Sequence, residues 1–74
     1  IDHRMAREAQ IIAQLREGQT RIKEIVPILY ANVNKNLHPA ACHSVLAHMI
    51  RLVHLGVVKS DGSLTVDSEY KLAA

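Results

Sequence analysis

The sequence predicts a mainly α-helical domain closed by a small β-ribbon: three helices, a short strand and a two-stranded wing. Three observations carry that prediction. Apolar residues recur at separations of three and four in three segments, the spacing of one helical face. Gly18, Pro27, Pro39 and Gly56 stand where helices start or stop. Asp61-Gly62 forms a strong turn signal ahead of Glu69–Ala73, where Tyr70 and Leu72 alternate with polar residues as a strand requires.

The first helix is expected over Asp2–Glu17. Met5, Ala9, Ile12 and Leu15, with Ile11 beside them, make its apolar stripe. Asp2 can cap its start, Glu8 can pair with Arg4 one turn away, and Gly18 can take the left-handed conformation that ends it. Gln19–Ile22 is too short for a helix; Thr20 and Ile22, two apart, suit a short edge strand. Pro27 then fixes the second helix, because proline is tolerated in a first turn but not in an interior. The helix is expected to start near Lys23 or Glu24, to turn Ile25, Val26, Ile28 and Leu29 inward, and to fade around Val33. Asn32, Asn34, Lys35 and Asn36 follow as a polar loop.

The third helix has the sharpest limits, with Pro39 in its first turn and Gly56 at its end. Val45, Leu46, Met49, Leu52 and Val53 form its buried stripe. Val57–Ser60 reads as a strand. It can close a two-residue hairpin onto Ser63–Val66 or pair with Glu69–Ala73 across a longer loop spanning Asp61–Ser68, and the alternation favours the longer loop. Helix, short strand, helix, turn, long helix and ribbon is the order of a winged helix.

Composition narrows the function classes. The 74 residues suffice for one domain, residues 1–74, and exclude a two-domain enzyme within this length. The core must be aliphatic, since there is no Trp or Phe and only two Tyr. So small a core offsets the ordering of its own chain narrowly, which favours a piece that packs on something larger. Nine Lys and Arg against seven Asp and Glu leave a net charge of +2, too mild to name a nucleic-acid partner. The single Cys excludes an internal disulfide and a Cys-rich zinc module. The start at Ile1 lacks a basic leader followed by an apolar run, so a soluble chain without a membrane partner is expected.

Five histidines invite a metal reading, but two ligands on one helix face need a separation of three or four. His43 and His48 are five apart and His48 and His54 six, which turns each pair away from a common face. His38 and Cys42 are four apart but lack a third ligand. Cys42 has His38 and His43 as candidate bases for a nucleophile, yet no oxyanion motif accompanies it, so it reads as a small buried apolar residue. No catalytic or metal residue is assigned.

Three stretches together resemble a known family: His3-Arg4-Met5-Ala6-Arg7-Glu8-Ala9-Gln10-Ile11; Glu24-Ile25-Val26 with Leu29-Tyr30; and Asn36-Leu37-His38 with Ala41, His48-Met49-Ile50-Arg51-Leu52 and Gly56-Val57-Val58. In this order they resemble the C-terminal winged-helix domain of metallo-β-lactamase-fold hydrolases, a group whose animal members are mitochondrial endoribonucleases. The resemblance runs from His3 to Val58 and weakens in the wing. It implies a zinc-dependent catalytic domain in the same polypeptide, ahead of this one, with zinc held there and the winged helix lying over it to shape substrate access. It also implies single-stranded RNA as a partner, and a cytoplasmic location, or the mitochondrial matrix in an animal.

The competing class is a free-standing DNA-binding transcriptional regulator, in which the third helix would enter the major groove. Its outward face reads Ala40, His43, Ser44, Ala47 and Arg51, with one permanent cation, a poor set for base edges. Specific duplex DNA is therefore not expected. Arg21, Lys23, Lys35 and Lys59, with Arg51, are the candidates for a diffuse contact to a nucleic-acid backbone. Tyr30, Leu37 and Met49 are the candidates for the docking face.

Overall fold

The computed structural model describes residues 3–73; the expected cap at Asp2 lies outside them. Helix α1 spans His3–Arg16, α2 Ile22–Leu29 and α3 His38–His54, with a 3₁₀ turn at Lys35–Leu37 before α3. Strands β1, Val58–Ser60, and β2, Tyr70–Leu72, pair antiparallel, Val58 opposite Leu72, Lys59 opposite Lys71 and Ser60 opposite Tyr70. The three helices and the ribbon form a winged helix. Among the described residues, no helix is long and apolar enough to cross a membrane.

Both long helices end in the same way. Gly18 and Gly56 take φ of 105° and 78°, a region open to glycine at little cost. The residue after each donates back to the carbonyl five positions earlier, Gln19 to Gln14 and Val57 to Leu52, which satisfies carbonyls that the helix leaves unpaired.

The α1 stripe is turned from the expected one. Ile11 and Leu15 are buried and Ile12 packs beside them, but Ala9 is exposed and Met5, in the opening turn, is 64% exposed. Glu8, three residues before Ile11, takes the buried position instead and is 6% exposed.

Helix α2 begins at Ile22, ahead of the expected start. Glu24 folds its carboxylate back to accept from the backbone N–H groups of Arg21 at 3.2 Å and Thr20 at 3.3 Å, half of a capping box. Pro27 therefore sits past the first turn and deprives the Lys23 carbonyl of its helical donor. The loss is tolerated because the helix stops two residues later, with Tyr30 N–H donating to the Val26 carbonyl at 2.8 Å. Ile28 does not turn inward: it lies about 120° around the helix from Ile22 and is 45% exposed. The short strand expected at Gln19–Ile22 shrinks to one bridge, Arg21 with Glu69, since Ile22 is already helical. Tyr70 N–H still donates to the Thr20 carbonyl at 2.8 Å, which ties β2 to the α1–α2 junction.

Helix α3 runs through the middle of the core, burying Ala41, Val45, Met49 and Leu52 against Ile25 and Val26 of α2 and Ile11 of α1. The ribbon closes the core with Val58 and Tyr70. Its strands pair across the longer loop, whose ends are held together by Asp61: its N–H donates to the Glu69 carbonyl at 3.0 Å and its carboxylate accepts from Glu69 N–H at 3.2 Å.

Candidate functional site

The structure brings four of the five candidate cations to one side, and the elements that carry them explain why. Arg21 caps the start of α2 and meets Glu69 at the foot of β2, 3.5 Å away. Lys23, one turn further, reaches the wing loop, where its Nζ lies 2.8 Å from Asp67 Oδ1. That contact holds the Asp67 carboxyl below its usual range and the Lys23 ammonium above its own. Both pairs are exposed, so they orient side chains more than they stabilise the fold. Lys35 shares with Lys23 an open groove between α2, the start of α3 and the wing loop, floored by Val26, Pro27, Cys42 and Val66. Lys59 extends the series along β1, beside a shallow cleft that also touches Thr20 and Glu69. Lys71, opposite Lys59, lines the same cleft and was not among the sequence candidates.

Arg51 is not part of this belt. Its Nε donates to Glu8 Oε2 at 3.0 Å and to Oε1 at 3.3 Å, while His48 Nδ1 donates to Oε2 at 3.2 Å. Glu8 is thus clasped from α3 by two cation-capable groups, and Arg51 is turned toward α1. The rest of the outward face of α3, Ala40, His43, Ser44 and Ala47, is exposed and carries no permanent cation.

The docking candidates separate. Met49 is fully buried and cannot meet a partner; it is part of the α3 stripe, where its position was also expected. Leu37 is 57% exposed at the end of the 3₁₀ turn. Tyr30 is half-buried, with the Arg7 guanidinium 4.4 Å from its ring centroid, so one face of the ring is already covered.

The histidines point to separate tasks. His38 Nε2 donates to the Tyr30 carbonyl at 3.1 Å, since a carbonyl can only accept, and so joins the start of α3 to the end of α2. His43 and His54 are exposed and His48 faces Glu8. Among the described residues, no three His, Cys, Asp or Glu side chains converge as a metal ion would need. Cys42 is half-buried against the core, beside the groove.

The wing loop is built around Ser68, 2% exposed, whose hydroxyl accepts from Thr65 N–H at 3.1 Å and bonds Thr65 Oγ1 at 2.9 Å and the Ser63 hydroxyl. Tyr70 adds its phenol, donating to the Thr65 carbonyl at 2.7 Å; burial pushes its pKa above the ordinary value, so the proton stays in place. The wing is therefore a structured arm that holds Asp67 under Lys23.

Spacing could have found the separation of Arg51 from the belt only by pairing it with Glu8, which is 43 residues away in the chain. The model of one family, described as the beta-lactamase associated winged helix domain, matches residues 22–68, from the first residue of α2 to the end of the wing loop.

Proposed function

The chain belongs to the beta-lactamase associated winged helix family, and from that premise we propose that it is the accessory C-terminal domain of a zinc-dependent metallo-β-lactamase-like hydrolase. It packs on the catalytic domain of the same polypeptide and shapes the access of substrate, RNA in this reading. Zinc belongs to the catalytic domain, where it would activate water for hydrolysis. This chain's residues bind and orient.

The observation that carries the reading is the distribution of cations. A helix-turn-helix reader of duplex DNA presents its recognition helix to base edges. Here the single arginine of that face is drawn toward Glu8, while Arg21, Lys23, Lys35 and Lys59 gather on α2 and the wing. Such a belt suits a phosphate backbone rather than a base sequence. Leu37, with the open side of Tyr30, supplies the apolar docking face on the opposite flank of α2.

Two measurements test the reading. The 74-residue chain with added zinc is expected to hydrolyse no phosphodiester substrate, and turnover by it would overturn the accessory role. In fluorescence anisotropy it is expected to bind single-stranded RNA weakly and with a steep salt dependence; sequence-selective binding of duplex DNA would instead establish a free-standing regulator.

A further inference from the structure

We propose that the outward face of the ribbon, where Lys59 and Lys71 stand directly opposite each other, is a phosphate-binding cleft for the backbone of single-stranded RNA. The ligand class rests on the accessory-domain reading above.

Opposed residues of an antiparallel pair project to the same face, and their Cα atoms are about 5 Å apart. Like charges so placed repel each other, and a ribbon keeps them only if a counter-charge visits. The neighbouring carboxylates do not supply it. Asp61 is turned into the loop, where it accepts from the N–H groups of Glu69 and Ser63 and from the Ser63 hydroxyl, contacts that hold its pKa below the ordinary value. Glu69 meets the Arg21 guanidinium. Lys59 and Lys71 form no ion pair among the described residues, and both are exposed.

The cleft beside them is lined by the Thr20 and Ser60 residues as well as by Asp61, Glu69 and Tyr70. Two long flexible ammonium arms over a polar cleft can converge on one phosphate, which replaces their mutual repulsion with two attractions. Arg21, across Glu69, continues the positive track toward Lys23. With no Trp or Phe to stack bases, affinity for a strand has to come from its backbone. A second use for edge lysines is to keep ribbons from pairing with each other; that use requires no ligand, and the test separates the two.

The test compares the full chain with Lys59→Gln/Lys71→Gln and Lys59→Arg/Lys71→Arg in anisotropy titrations of a labelled oligouridylate over a range of KCl concentrations. The double Gln variant is expected to bind roughly tenfold more weakly at low salt, and its log–log salt slope to fall by about 1.4, at about 0.7 per lost phosphate contact. The double Arg variant should keep both, and each single Gln variant should show about half the loss in slope. An unchanged slope in the double Gln variant, with association of the protein in light scattering, would assign the lysines to edge protection. An equal loss from Lys35→Gln alone would overturn the paired site in favour of a diffuse belt. If the unaltered chain shows no salt-dependent binding to RNA, the cleft is overturned, while the accessory role is judged separately by the zinc assay.

Discussion

Glu8 and Ser68 are the two polar side chains buried among the described residues, and they are satisfied in opposite ways. Glu8 carries a charge and finds its partners 40 and 43 residues away, at His48 and Arg51. Ser68 is neutral, and its partners Ser63 and Thr65 lie within five residues. One is a clasp between helices that exists only when α1 has docked on α3. The other organises a loop that can form by itself. A charge taken out of water needs compensation from fixed opposite charges, whereas a hydroxyl needs one or two ordinary hydrogen bonds that a turn can supply. The helical half is thus held by long-range terms and the wing by local ones.

Breaking the clasp should have the largest effect. Glu8→Ala is expected to cost about 2 kcal/mol, because it removes charge-assisted hydrogen bonds and leaves His48 half-covered. Amides of α1 should lose hydrogen-exchange protection more than those of α2. Equal loss in both helices would show that Glu8 does not hold α1 in particular. Ser68→Ala should cost about 1 kcal/mol in chemical denaturation and leave the α1 amides as protected as before; a loss spread over α1 would mean that the wing is not the local unit described.

The smallest effect concerns pH. Hydrogen bonds, the one from Glu69 N–H first, hold the Asp61 carboxyl below its ordinary value of 3.8. As pH falls, the unfolded chain takes up this proton before the folded one. The stabilisation is complete above 3.8 and is lost as pH drops through the folded-state value. Asp67, lowered by Lys23, adds a contribution of the same sign. Asp61→Asn should therefore be less stable than the unaltered chain at neutral pH, with the difference shrinking below about pH 4. Urea midpoints at the two pH values measure it, and a constant difference would dismiss the linkage.

These two regions also show what a sequence can and cannot display. Helix α3 was legible to within its ends because Pro39 and Gly56 bracket a regular stripe, and the ribbon because Tyr70 and Leu72 alternate. The face of α1 was not, because a buried glutamate looks like a solvent residue until its partners are known. Ile28 and Pro27 were misplaced for a related reason: the start of α2 is set by Glu24 reaching back to Arg21, which shifts every following residue on the helix. The cations were legible as types. Which of them share a side depends on Arg21 meeting Glu69, 48 residues on, and Lys23 meeting Asp67, contacts that no local pattern encodes.

The match to the family starts at Ile22, yet Ile11 and Leu15 of α1 are as deeply enclosed as anything that follows. Anyone who transplants the matched stretch alone would carry off a bowl without its lid: Ile25, Val45 and Met49 would face water. The unit that evolution can shuffle is therefore longer than the stretch that sequence comparison recognises, and grafts should begin at His3 or before.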